Sequence, residues 1–260
     1  MRQDPDGALL LEMERLALEA GAKAMTIYAS PFAVAAKGDA SPVTEADRLG
    51  EEIITAGLKA VAPGIPILAE EAASGGVIPD LGREFFLVDP LDGTKEFITK
   101  TGEFTVNIAL VRDGEAVLGV VYAPAISKLY VGRKGAGAYL RRPGEGAGAE
   151  PILARKAPAD GLVAVASRSH RGPETDEFLS TLKVADFAAA GSSLKFCLIA
   201  EGLADVYPRL GRTMEWDTGA GQAVLEAAGG RVVEFESHAP LRYGKKGRGF
   251  DNPHFIAWGA

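Results

Sequence analysis

Residues 86–97 read Phe-Leu-Val-Asp-Pro-Leu-Asp-Gly-Thr-Lys-Glu-Phe. An apolar run of strand character from Phe85 to Val88 ends on two carboxylates three positions apart, Asp89 and Asp92, followed by a glycine and a threonine. Asp-Pro and Asp-Gly are common turn dipeptides, and by themselves they describe a tight turn without chemistry. Three features add to that reading. Pro90 fixes the backbone between the acids, the preceding strand is too apolar to need a polar exit, and Gly93-Thr94 precede a predicted short helix from Lys95. A helix start presents free backbone N–H groups that can hold a phosphate. Phosphate beside carboxylates is favourable only with a cation between them, and hard ions such as Mg²⁺ take oxygen ligands. The two acids are therefore expected to share metal.

Upstream, Leu9, Met13, Leu16, Ala17, Ala20 and Ala24 recur at helical spacing and predict an amphipathic helix over 7–28. After the loop at 35–47, Thr44 and Asp47 form a capping-box pattern before a second helix with Ile53, Ile54, Leu58 and Val61 on its buried stripe. Residues 65–69 read as a short strand that delivers Glu70 and Glu71 at its end, much as the 85–88 strand delivers Asp89. Downstream, residues 104–140 alternate β-rich segments with turn signals and predict an antiparallel meander. The Gly, Pro and Ala content of 141–160 marks a lobe boundary. Beyond it, strands predicted at 162–167, 231–235 and 254–258 alternate with helices near 173–183, 192–203 and 217–228. The expected class is α/β: an α+β N-terminal lobe over 1–150 and an α/β C-terminal lobe over 151–260.

The chain has 260 residues, 47% of them hydrophobic, enough for a sizeable core. A formal charge of −7 argues against nucleic acid or an anionic membrane as partner, so a small anionic substrate must find its positive charge locally. The single cysteine, Cys197, forms no intrachain disulfide and fits a reducing compartment, with the cytoplasm as the expected location. No apolar run reaches the length of about 18 residues that a membrane-spanning helix requires, and the N-terminus lacks an export pattern.

Further oxygen ligands are available in Glu70-Glu71 and in Asp217, which follows Trp216 at the start of the last predicted helix. Each also has a plain structural explanation: a solvated loop for the glutamates, an N-cap for Asp217, and the capping box for Asp47. Phosphatases of the haloacid-dehalogenase type also carry Asp-Gly-Thr after a strand, but with the acids two apart. Here the residue two before Asp92 is Pro90, so their nucleophile is missing. Three histidines and no Gly-x-Ser-x-Gly elbow leave no support for a serine hydrolase triad.

Ala69-Glu70-Glu71, Asp89-Pro90-Leu91-Asp92-Gly93-Thr94 and Trp216-Asp217-Thr218-Gly219-Ala220-Gly221 together resemble the Mg²⁺-dependent, lithium-sensitive inositol monophosphatase superfamily, in its order and at compatible spacing. Lys95-Glu96-Phe97, Ser167-Arg168-Ser169-His170-Arg171, Gly191-Ser192-Ser193-Leu194-Lys195-Phe196 and Tyr207-Pro208-Arg209 are similar to its 3'(2'),5'-bisphosphate nucleotidase branch. Thr213-Met214-Glu215 departs from the sequence expected of close relatives.

The resemblance implies a layered α/β/α/β/α sugar-phosphatase sandwich and hydrolysis of 3'-phosphoadenosine 5'-phosphate to AMP and phosphate without a covalent phosphoenzyme. An inositol or sugar monophosphatase is the alternative, and a catalytically silent nucleotide-binding protein on the same scaffold is a third reading. Two or three Mg²⁺ ions are implied, on Glu70, Asp89, the carbonyl of Leu91, Asp92 and Asp217. Thr94 with Glu70 would activate water while the N–H groups of Gly93 and Thr94 hold the phosphate. Lys37 and Asp47 fall in a segment similar to the family's mobile loop and its weaker third metal site. Ser192, Ser193, Lys195, Arg209 and His170 would form the substrate pocket. Arg209 stands where inositol enzymes carry an acid that meets hydroxyls, and it suits a charged group instead. A homodimer and peripheral association with the inner membrane are both compatible with this branch.

Overall fold

Side chains alternate between two cores along the strands, and that alternation sets the layering. The computed structural model describes residues 4–36, 42–144, 146, 148–166 and 172–260. A first layer holds α1 (Pro5–Tyr28) and α2 (Glu45–Val61). Asp4 caps α1 by accepting the Gly7 N–H at 3.1 Å. The predicted capping box starts α2: Asp47 Oδ2 accepts the Thr44 N–H at 2.7 Å, and Thr44 Oγ1 accepts the Ala46 N–H at 3.2 Å. Between these helices β1 (Val34–Ala36) and β2 (Pro42–Thr44) pair antiparallel.

The second layer is a seven-stranded sheet in sequence order: β3 (Ile67–Ala69), β4 (Glu84–Asp92), β5 (Thr105–Arg112), β6 (Glu115–Ala123), β7 (Lys128–Arg133), β8 (Gly137–Arg141) and β9 (Glu150–Ile152). The expected meander is its centre, and the two upstream strands join it; β3 and β4 are parallel, and the later pairings are antiparallel. Phe86, Val88, Ile108 and Leu110 pack towards α1 and α2. Phe85, Leu87, Ala109 and Val111 point the other way, into the central core. Short helices α3 (Glu70–Ser74) and α4 (Thr94–Ile98) follow β3 and β4.

A second sheet contains β10 (Leu162–Ala166), β11 (Val184–Ala189), β12 (Val206–Arg209), β13 (Arg231–Glu234) and β14 (Phe255–Trp258), in the order β11-β10-β12-β14-β13. Its inner face (Val165, Tyr207, Phe255, Ala257) closes the central core. Its outer face (Ala164, Val206, Ile256) packs with Phe178 and Leu179 of α5 (Pro173–Ser180). Helices α6 (Leu194–Ala200) and α7 (Glu215–Ala227) lie between the sheets, which completes the α/β/α/β/α order.

Two glycines let α7 rest directly on the large sheet. A Cβ on Gly119 would stand 2.4 Å from the Ala220 carbonyl oxygen, and one on Gly132 would stand 2.5 Å from the Val224 Cα. Strands β11 and β12 were not expected from sequence. Val184–Ala189 is largely exposed and mostly small, and Val206–Arg209 is four residues long and contains a proline, so neither carries a clear alternating signal.

Candidate active site

Parity along the strands aims the acids. Ala69 of β3 is opposite Val88 of β4 in a parallel pair, so Glu70 and Asp89 are the next residues out of the same end of the sheet. Phe85 and Leu87 face α7, and Asp89 continues that row by period two. Three positions further on, Asp92 would face the opposite side of a regular strand. A bulge prevents this: Asp89 pairs with Asn107 and Asp92 with Thr105, three steps on β4 against two on β5. The extra residue returns Asp92 to the α7 side. It also takes Leu91 out of the ladder, whose N–H is accepted by Asp89 Oδ1 at 2.9 Å and whose carbonyl meets the Thr94 hydroxyl at 3.4 Å.

Asp217 arrives on α7. It is not the N-cap that its position suggested, because the helix begins two residues earlier and Asp217 Oδ2 accepts the Met214 N–H at 2.8 Å. Gly93 turns the chain with φ +94°, and Thr94 opens α4. The Thr94 hydroxyl donates to Asp47 Oδ1 at 3.2 Å, so Asp47 both caps α2 and holds a candidate catalytic hydroxyl.

A cavity of about 340 Å³ gathers these groups; Glu70, Asp92, Gly93, Thr94, Asp217 and Lys195 all line it, and Asp89 lies buried behind them. Ser192 and Arg209 also reach it. The Ser192 hydroxyl and Arg209 Nε are buried there without a hydrogen-bond partner among the described residues, while an Arg209 Nη donates to the Arg212 carbonyl at 2.8 Å. Ser193 departs from the expectation of a pocket residue: it is 1% exposed, absent from the lining, and its hydroxyl is turned towards Asp92 and the Asp217 carbonyl. Lys37 and His170 lie outside the described residues.

Burial first, then the charges of Glu70, Asp92 and Asp217, push Asp89 well above the ordinary carboxylate range. Burial, Asp92 and Glu70 do the same to Asp217. Burial raises Asp92 to about 6 against the opposing pull of Lys195 and Ser193, and burial lowers Lys195 to about 8. Among the described residues no three acidic, histidine or cysteine side chains already converge on one point as ligands, although Glu70, Asp89, Asp92 and Asp217 are close enough for their charges to act on one another. The donor set nevertheless fits a hard divalent cation, because it is all oxygen and its mutual repulsion is relieved by positive charge.

The raised carboxyls predict how the metal-free protein responds to pH. The folded state holds the Asp92 proton up to about pH 6, whereas an ordinary carboxyl loses it near 3.8. Folding therefore binds protons in that window, and stability falls as pH rises through it. Asp89 and Asp217 extend the fall upward. Chelator-treated protein should melt on the order of 5 °C higher at about pH 5 than at about pH 8, and Mg²⁺ should narrow the gap. Thermal melts at the two pH values check this.

A model of the inositol monophosphatase family matches residues 9–254. The chain belongs to that family. The 3'(2'),5'-bisphosphate nucleotidase CysQ of Shigella flexneri is 43% identical over 249 residues, spanning 95% of this chain and 98% of the relative. The crystal structure of CysQ from Bacteroides thetaiotaomicron, described as a bacterial member of the inositol monophosphatase family, superposes with a TM-score of 0.80 at 40% identity and 97% coverage of each chain. An inositol monophosphatase from Zymomonas mobilis gives 0.78 at 27% identity, covering 99% of this chain and 94% of its own. No helix among the described residues of this family member is long and apolar enough to cross a membrane.

Sequence reading missed Asn107, Glu96, Tyr207 and Thr213. The last three line the cavity, and Asn107 is buried beside Asp92. Glu96, Tyr207 and Thr213 stand inside segments already singled out in the sequence without being assigned to the site, and Asn107 showed only as one amide in the apolar strand TVNIALV.

Proposed function

We propose that this chain is a Mg²⁺-dependent 3'(2'),5'-bisphosphate nucleotidase that releases the 3'-phosphate of 3'-phosphoadenosine 5'-phosphate to give AMP and phosphate. The observation that carries the reading is one cavity holding both acids with only oxygen donors and cationic side chains, Lys195 and Arg209 among them. In this reading the lobe of residues 1–150 supplies Glu70, Asp89, the Leu91 carbonyl, Asp92 and Thr94. The lobe of 151–260 supplies Asp217 and the anion pocket.

Glu70, Asp89, Asp92, Asp217 and the Leu91 carbonyl would hold Mg²⁺, which when bound supplies Lewis-acid activation of water and neutralises charge on the phosphoryl group. The Thr94 hydroxyl donates its hydrogen bond to Asp47, which leaves its lone pairs free to accept from the attacking water. Glu70, on the cavity wall, is the second acceptor for that water. The N–H groups of Gly93 and Thr94 orient the phosphate, and positioning with charge stabilisation does the rest. Ser192, Lys195 and Arg209 receive the second phosphate, where the Arg209 Nε, without a partner among the described residues, is a ready donor.

Turnover of 3'-phosphoadenosine 5'-phosphate against inositol 1-phosphate, with Mg²⁺ present, tests the reading. Preference for the bisphosphate supports it, and preference for the inositol ester would move the chain to the monophosphatases of its family. Arg209→Ala should lower affinity for the bisphosphate about 10–100-fold, the worth of a hydrogen bond to a charged group, and leave affinity for a monophosphate nearly as it was. Equal losses in a KM comparison would refute the pocket assignment.

A further inference from the structure

Three elements that carry or face the acids meet at one buried hydroxyl. The Asn107 amide of β5 donates to Ser193 Oγ at 3.0 Å and reaches Asp92 Oδ2 at 3.5 Å. Ser193 Oγ lies 3.1 Å from Asp92 Oδ2 and 2.8 Å from the Asp217 carbonyl oxygen. With its lone pair engaged by Asn107, the hydroxyl proton is directed at one of those two oxygens. β4, β5 and α7 are thereby joined at the residue that precedes α6.

The surroundings allow this point little freedom. Asn107 and Ser193 are each 1% exposed. Ser192 holds a left-handed φ of +46°, and a Cβ on Gly191 would stand 2.6 Å from the Glu103 carbonyl oxygen, so the loop before Ser193 is pressed against the segment after α4. Across the ladder Asn107 is opposite Asp89. Its Oδ1 is buried without a hydrogen-bond partner among the described residues. A polar side chain kept in an apolar strand with half its capacity unmet is costly to stability, which points away from a purely structural role.

We infer that Asn107 and Ser193 are positioning residues for Asp92, fixing its carboxylate in the orientation in which it meets Mg²⁺. This rests on the metal-dependent reading above, and it takes Ser193 out of the substrate pocket. The two residues touch neither substrate nor metal; they act through Asp92. Groups that orient a metal-binding carboxylate typically change metal affinity by about 10–100-fold when removed.

The test is calorimetric titration of Mg²⁺ into the whole protein, with no substrate present. Asn107→Leu and Ser193→Ala should each raise the Mg²⁺ Kd about tenfold or more, and the double variant should lose less than the product of the single effects, because both act on one carboxylate. At saturating Mg²⁺ the substrate KM should stay near the parental value, which a general loosening of the fold would not preserve. A parent that binds Mg²⁺ alongside variants of equal affinity overturns the inference and leaves the metal reading intact. A parent that binds no Mg²⁺ overturns both. Should Asn107→Leu fail to fold, Ser193→Ala, which removes one hydroxyl, decides alone.

Discussion

Asp89→Asn should cut Mg²⁺-dependent phosphate release by about a thousandfold while the metal-free protein stays folded and melts no lower than the parent. The carboxylate is 1% exposed and sits among Glu70, Asp92 and Asp217, so its charge is unfavourable until a cation compensates it. Asparagine keeps the shape and an oxygen able to accept the Leu91 N–H, which Asp89 receives at 2.9 Å. It removes the charge that would bind metal. Activity and stability should thus move in opposite directions, as is common where a functional site stores unfavourable electrostatics. Phosphate release and a thermal melt on the same preparation check both halves. Near-parental turnover would remove Asp89 from the mechanism.

The second large effect is expected far from the acids. Gly132→Ala should destabilise the protein by about 2–3 kcal/mol, lowering the melting temperature by roughly 5–10 °C in a chain of this size. The added methyl would meet the Cα and N of Val224 and the carbonyl of Ala223, and no rotamer change moves backbone atoms aside. Relief requires α7 to lift from the sheet, and Asp217 is carried on its first turn. Mg²⁺ affinity should therefore fall together with stability, readable as a smaller rise in melting temperature on adding the ion. A variant with parental stability would show that the helix can yield without cost.

Glu70, Asp89 and Asp92 drew attention as candidate ligands because each follows an apolar strand, and Asp217 did so through the motif Trp216-Asp217-Thr218-Gly219-Ala220-Gly221 at a helix start. The α2 start was legible too, since a capping box is local. That Asp89 and Asp92 face the same way was not legible: their spacing of three contradicts it, and only the β4–β5 register reveals the bulge. Asp47 seemed fully explained by its box, yet its second oxygen takes the Thr94 hydroxyl from 47 positions away. Ser193 looked like a pocket residue because it shares a predicted helix start with Ser192 and Lys195; that its hydroxyl turns instead to Asp92 and the Asp217 carbonyl is a tertiary outcome. β11 escaped notice because it lies at the edge of its sheet and is mostly exposed, so burial imposes no alternation on it.

The bulge between Asp89 and Asp92 constrains how this chain can change in length. Losing one residue there would restore a straight ladder with the acids two apart, still aimed alike, but the Leu91 backbone would be drawn back into sheet pairing and its carbonyl taken from the Thr94 hydroxyl. Gaining one with the bulge kept would swing Asp92 towards the apolar layer beneath α1 and α2. Insertions and deletions at such a place obey an arithmetic that leaves the present count as the one that serves both demands.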